Sequence, residues 1–227
     1  MSYILHIDTA VVTASVCLSF KEDVIALLSN PLQKDSASWI QTGIRQLMEK
    51  TDIKLQQLNA VSISAGPGSY TGLRVGMATA KGLCYALNIP LIIINTLKMM
   101  AVAAKNEEAN LFCPMIDARR MEVFTAVYDK NLEEILPPHN AILSEHSFSG
   151  ILQDKRVLFF GNGSNKFQLL IKNPNACFKQ IEANAKHLIS QSFFFYQQKV
   201  FADLAYSEPF YGKAFYSPPA KSPDHKK

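Results

Sequence analysis

The chain reads as an α/β protein made of two tandem copies of one unit. Three observations carry that reading. Short apolar or alternating runs bounded by turn residues alternate with segments of helical spacing. His6-Ile7-Asp8, followed by an alternating run from Ala14 to Phe20, is matched by Pro114-Met115-Ile116-Asp117 followed by Val123 to Tyr128. Val61-Ser62-Ile63-Ser64 leads into Gly66-Pro67-Gly68, much as Val157-Leu158-Phe159-Phe160 leads into Gly161-Asn162-Gly163. Hydrophobic alternation common to any two α/β halves accounts for part of this match.

Each element has its own warrant. Tyr3 to Asp8 is a buried strand, Ala14 to Phe20 a second, and Val24 to Leu28 a third after the Lys21-Glu22-Asp23 turn. Ser36 or Ser38 can cap a helix carrying Trp39, Ile40, Ile44, Leu47 and Met48 at helical spacing. Val61 to Ser64 is a short strand, and a helix from about Thr71 to Leu87 follows the glycine-rich turn. Asn88 and Pro90 end it, because proline disfavours helix in the residue before it. Leu91 to Asn95 is a strand, and Thr96 can cap the helix running through Ala104. The first unit is expected over residues 1–105 and the second over 106–216, with a flexible basic tail at 217–227.

The 227 residues, 48% hydrophobic and 19% charged, suffice for a core without disulfides or structural metal. The net charge is only +4. Half of it lies beyond residue 206, where Lys213, Lys221, Lys226 and Lys227 face Glu208 and Asp224. The near-neutral body argues against a surface built mainly to grip nucleic acid. Cys17, Cys84, Cys113 and Cys177 lie far apart among apolar or small neighbours and read as buried thiols. The N-terminus has no basic region before its apolar stretch, and the apolar run Met99 to Ala104 is too short to span a bilayer. The expected compartment is the cytosol, with no membrane partner.

The densest motif is Ser64-Ala65-Gly66-Pro67-Gly68-Ser69-Tyr70-Thr71-Gly72-Leu73-Arg74. A glycine-rich turn before a helix can bind an anion on its backbone amides, or can simply be a tight turn capped by Ser69 or Thr71. It is neither a Walker A loop nor Gly-x-Gly-x-x-Gly. In the following helix, Gly72, Gly76 and Ala80 share one face and Ala78, Gly82 and Ala86 another. An interior glycine costs about 1 kcal/mol against alanine, so something must come close. That neighbour is either the chain's own sheet or a partner helix, and the two faces need not share one answer. The five histidines include no His-x-x-x-His or His-Glu-x-x-His pair, so no helix presents a two-histidine metal site. His6 reads as a packed core residue. Arg119-Arg120 beside Asp117 suits a salt-bridged strand end or an anion contact.

A duplicated unit with an aspartate closing the first strand of each half resembles the actin-like ATPase (ASKHA) superfamily, in which two ribonuclease-H-like domains face each other across a cleft. The resemblance implies phosphate-holding hairpins after each aspartate. Here they run Thr9-Ala10-Val11-Val12-Thr13 and Ala118-Arg119-Arg120-Met121-Glu122, without glycine. Close approach of phosphate to backbone amides usually requires glycine, so these grips read as degraded. The candidate nucleotide or anion contacts are Asp8, Gly66, Gly68, Ser69, Asp117 and Arg119.

More narrowly, Gly66 to Gly76, then Ala80-Lys81-Gly82-Leu83, Asp117 to Phe124 and the opening Ile7-Asp8-Thr9 resemble the bacterial TsaB (YeaZ) family over roughly the first 130 residues. Gly161-Asn162-Gly163 and Pro209-Phe210-Tyr211 fit loosely. Tyr70 and Val75 stand where Phe and Ile are common, Ser36 where many members have histidine, and Gly212-Lys213 where Leu-Arg is usual. The resemblance implies a non-catalytic subunit for N6-threonylcarbamoylation of adenosine 37 in tRNA. It would dimerise with the catalytic TsaD-type subunit, act with the TsaE-type ATPase, form a homodimer in isolation and meet tRNA only through the complex. No metal or other cofactor is required, and ATP or ADP at the heteromeric interface is the one small-molecule candidate. Ser38, Thr71, Gly72, Leu73, Gly76, Met77 and Ala80 are the expected partner contacts. The competing readings are an ATP-dependent small-molecule kinase of actin-like fold and a metallopeptidase-like protein.

Overall fold

A computed structural model describes residues 2–30 and 36–212. The side chain of Ser36, Lys213 and the tail at 217–227 lie outside the described residues.

The first half opens with a meander: β1 (Tyr3–Asp8), β2 (Ser15–Phe20) and β3 (Asp23–Ser29). It continues through α1 (Ser36–Thr51), β4 (Leu58–Ser64), α2 (Tyr70–Leu87), β5 (Leu91–Ile94) and α3 (Thr96–Ala103). The second half holds β6 (Leu111–Asp117), β7 (Glu122–Asp129), β8 (Glu134–Ile142) and the one-turn α4 (Ser149–Leu152). It then adds β9 (Val157–Phe160), α5 (Ser164–Gln168), β10 (Ala176–Phe178) and α6 (Ile189–Gln197).

The two sheets are ordered β3-β2-β1-β4-β5 and β8-β7-β6-β9-β10. Each has an antiparallel meander joined through its first strand to parallel neighbours. The repeat read from the strand–Asp–strand pattern is thus a repeat of topology.

Strand alternation sorts the core into layers. On the outer face of the first sheet, Leu5, Ile7, Val16, Leu18, Val61 and Ile63 pack against α1 and α2. On its inner face Ile4, Ala60, Ile92 and Ile94 meet α3 and, beyond it, Phe112, Ile116, Phe124 and Tyr128 of the second sheet. Both halves therefore share one apolar layer. Around it lies a buried polar set: His6 Nε2 with Ser19 Oγ at 2.9 Å, Ser62 Oγ with Ser192 Oγ at 2.6 Å, and the Ala185 amide donating to Ser15 Oγ at 2.8 Å. His6 is fully buried and burial pushes its pKa down to about 3, so it is a neutral core histidine.

The last two pairs show that the chain turns back after residue 184 and lays α6 on the first sheet. From there a strap runs along the first half: Ala202 bridges Leu91, Lys81 Nζ donates to the carbonyls of Ala205 and Ser207, and the Phe210 amide donates to the Ala65 carbonyl at 2.7 Å. The unit expected over 106–216 is therefore not self-contained, because its last part packs on the first sheet.

Two expected caps move. Asn95, not Thr96, caps α3, accepting from the Leu97 amide at 2.8 Å. Thr96 Oγ1 instead accepts from the Gly66 amide at 3.0 Å and ties the glycine turn to α3. Ser38 sits inside α1, which begins at Ser36, so it is no cap. Cys17, Cys84 and Cys113 are buried as expected, whereas Cys177 is only half-buried. Among the described residues no helix is long and apolar enough to cross a membrane.

Candidate functional site

The two strand-end aspartates have opposite surroundings. Asp8 closes β1 fully buried. Its Oδ1 accepts from the Ala10 amide at 3.0 Å and from Ser64 Oγ at 2.5 Å, while Oδ2 has no hydrogen-bond partner among the described residues. Burial pushes its pKa up to about 6, against the pull of the Ser64 and hairpin-backbone hydrogen bonds. Asp117 closes β6 with its side chain 39% exposed. Desolvation is the largest single influence and raises its pKa, but the hydrogen bonds and charges of Lys166 and Arg119 together outweigh it and hold Asp117 below the ordinary carboxylate range. Lys166 Nζ and the Arg119 amide lie 2.5 Å and 2.6 Å from Oδ1.

In both halves the aspartate closes its own hairpin by accepting an amide two residues on, so hairpin amides that could cradle phosphate are used internally. Each hairpin is also clamped. The Ser69 amide donates to the Ala10 carbonyl at 2.8 Å, and Thr9 Oγ1 donates to the Gly72 carbonyl at 2.7 Å. In the second half, Arg119 and Arg120 hold left-handed φ values of 67° and 48°, a region that favours Gly and Asn over arginine. Lys166 Nζ also donates to the Arg120 carbonyl at 2.5 Å and so fixes that turn. Val11 of one hairpin and Ala118 of the other pack against the same shared core.

The candidate anion residues thus fall into two groups. Gly68 and Ser69 press on Ala10 beside Asp8, while Asp117 and Arg119 meet around Lys166. Gly66 (φ 113°) backs onto the Phe210 carbonyl with its amide given to Thr96, and Ser69 Oγ caps α2 by accepting from Gly72. The Gly66 and Ser69 amides are occupied, so neither is left for an anion.

The small-residue helix resolves into two unlike faces. A Cβ at Gly72 would overlap the Thr9 carbonyl oxygen, and one at Gly76 would overlap Thr9 Oγ1. Gly72, Leu73, Gly76, Met77 and Ala80 are buried against the chain's own sheet and first hairpin. Their close packing is within the chain, against Thr9 and the first sheet. Thr71 and Ser38 are exposed. The other small face, Ala78, Gly82 and Ala86, is exposed, and a Cβ at Gly82 would meet open space.

Sequence reasoning passed over Lys166 and the contact of Tyr211 with the helix start. Arg74 lies 4.2 Å from the Tyr70 ring centre and 5.9 Å from that of Tyr211, and its Nε donates to Tyr211 Oη at 3.2 Å. Arg74 stood within the glycine-rich motif, but nothing in the strap's irregular sequence announced Tyr211 as its neighbour. Among the described residues no group of three His, Cys, Asp or Glu side chains is placed to hold a metal ion.

A family model described as TsaD, tRNA N6-adenosine threonylcarbamoyltransferase, matches residues 30–209. The tRNA threonylcarbamoyladenosine biosynthesis protein TsaB of Bacillus subtilis is 32% identical over 173 residues, covering 75% of each chain. YeaZ from Pseudomonas aeruginosa superposes with a TM-score of 0.79 at 23% identity, covering 93% of this chain and 100% of that one. The activator of 2-hydroxyisocaproyl-CoA dehydratase from Clostridium difficile, solved with bound ADPNP, shares the fold at a TM-score of 0.52 and 9% identity, over 88% of this chain and 99% of that one.

Proposed function

The chain belongs to the TsaB (YeaZ) family of tRNA threonylcarbamoyladenosine biosynthesis proteins, and we propose that it serves that pathway as a non-catalytic subunit. It takes part in making N6-threonylcarbamoyladenosine in tRNA by pairing with a TsaD-type catalytic subunit, with a TsaE-type ATPase joining them. The observation that carries this reading is the contrast between cleft and surface. The strand-end aspartates are engaged in holding their own hairpins, whereas α2 leaves a face of Ala78, Gly82 and Ala86 open. Small residues spaced by four let a second helix approach closely.

A kinase of actin-like fold needs hairpin amides free for phosphate. Here the amides of Ala10 and Arg119 are bonded to Asp8 and Asp117, and the residues present do not fit a phosphate cradle. A metallopeptidase needs convergent metal ligands, and the histidine spacing supplies no such pair.

Reconstitution tests the proposal. The TsaD-type partner, the ATPase, tRNA and a threonylcarbamoyl donor should give modified tRNA only when this chain is added, and the chain without the partner should give none. Transfer by the chain alone, or transfer indifferent to its presence, would overturn the reading.

A further inference from the structure

We propose that residues 208–212 are a releasable latch between the two halves. They tie the strand end that carries Asp8 to the strand end that carries Asp117, and so set how far apart the halves stand.

The strap changes sides between Phe210 and Gly212. The Phe210 amide donates to the Ala65 carbonyl at 2.7 Å, and the Phe210 carbonyl presses on Gly66, where an added Cβ would overlap its oxygen. Ala65 follows Ser64, whose hydroxyl is bonded to Asp8. Gly212 instead lies against the ring of Phe124 in β7, and Phe124 pairs across the sheet with Ile116, the residue before Asp117. Two residues reach at most about 7 Å when fully extended. A wider gap between the halves here requires that one of the two contacts be broken.

The second-half contact depends on glycine. Gly212 holds a left-handed φ of 71°, and a Cβ there would meet two Phe124 ring atoms at 2.6 and 2.7 Å. Between the two anchors Tyr211 stays with the first half. Its ring lies 5.1 Å from that of Tyr70 and its hydroxyl is bonded to Arg74. Tyr211 thus presents Gly212 to Phe124, and release begins at Gly212.

The chain also crosses between the halves from α3 to β6 and from β10 to α6, but Leu97, Met100 and Leu188 beside those crossings are buried in the shared apolar layer. The crossing at the strap has a different character. Phe210 is 48% exposed and Tyr206 85%, and the segment is held mainly by hydrogen bonds from Lys81 to the carbonyls of Ala205 and Ser207 and from Phe210 to Ala65. A segment that buries so little apolar surface opens at a smaller cost than the core, so the latch releases while both sheets stay folded.

Spin labels at Glu22→Cys in the first half and Lys155→Cys in the second, both exposed positions, read the separation of the halves by double electron–electron resonance. The full chain should carry Cys177→Ser to remove the half-buried thiol and be diluted with unlabelled protein. Gly212→Val breaks the second-half anchor. The double variant Phe210→Pro/Tyr211→Ala removes the amide given to Ala65 and the ring held by Tyr70 and Arg74. Tyr206→Ala alters the strap outside the latch. The parent and Tyr206→Ala should give one narrow distribution, while Gly212→Val and the double variant should each broaden it and move its mean outward by about 3 Å, one residue's reach, or more. Both released variants should still melt cooperatively, within about 5 °C of the parent. Unchanged distributions in the released variants would show that the shared core alone fixes the halves and would overturn the latch. Widening in only one of them would overturn the two-sided anchor, and equal widening in Tyr206→Ala would overturn its location. Loss of the cooperative melt on release would make the strap part of the core, against the proposal.

Discussion

Asp8 and Asp117 occupy the same place in two copies of one unit, yet one is sealed in the core and the other lies 39% exposed. Both still close their hairpins by the same backbone contact. What differs is what leans on the hairpin from outside. In the first half α2 presses its glycine face onto Thr9, the Gly68-Ser69 turn closes on Ala10, and Asp8 is sealed from water beneath them. In the second half α5 is one short turn and sends in only Lys166, leaving Asp117 as an ordinary ion-paired surface carboxylate. A shared position in a duplicated fold has therefore kept a structural hydrogen bond while its electrostatics diverged.

The largest test of that contrast is Gly76→Leu. Leucine there must displace Thr9 and Ile63, and it should destabilise the chain by about 3 kcal/mol or more in chemical unfolding. Gly82→Leu, six residues along the same helix, should instead stabilise it by about 0.5–1 kcal/mol. Equal effects at the two positions would erase the distinction between the faces.

Asp8→Asn should come next and should act in the unexpected direction. The folded carboxyl takes its proton near pH 6 and the unfolded one near 3.8, so the folded state binds more protons between those values. The Asp8 contribution to stability is thus greatest at low pH, falls as pH rises toward 6 and is flat above. The asparagine variant should match the parent near pH 4 and exceed it by about 2 kcal/mol at pH 8. His6 works the other way: neutral in the core down to about pH 3, it costs stability as pH falls below 6.5. Comparing the variant with the parent at each pH cancels that background.

Asp117→Asn should cost less than about 1 kcal/mol, and less still at high salt, as expected of a partly exposed pair. The smallest effect is Arg120→Gly, which should stabilise the hairpin by a few tenths of a kcal/mol by relieving a left-handed arginine.

The duplication was legible in the sequence because two strand–Asp–strand units and two Gly-x-Gly turns survive in register. The two small faces of α2 were legible as well, but not which one looked inward. The signal was present in their flanks: Arg74, Lys81 and Tyr85 border the open face, while Leu73, Met77 and Cys84 border the closed one. Thr96 was misread as a cap because asparagine and threonine stand side by side, and only the three-dimensional course of the Gly66 turn gives the threonine another partner. Lys166 and the strap left no local trace. An ion pair between a strand end and a distant short helix has no spacing rule, and a segment fixed by carbonyl contacts and one tyrosine carries no hydrophobic period.

The central claim is that this chain works through the open face of α2 and not through its strand-end aspartates. Threonylcarbamoyl transfer by the reconstituted system, measured side by side with Asp8→Asn and with Gly82→Leu, tests it most directly. The account predicts that Asp8→Asn stays within about tenfold of the parent, a barrier change near 1.4 kcal/mol, while Gly82→Leu is folded and supports almost no transfer. A several-hundredfold loss from Asp8→Asn with the complex still assembled, beside normal activity from Gly82→Leu, would contradict it.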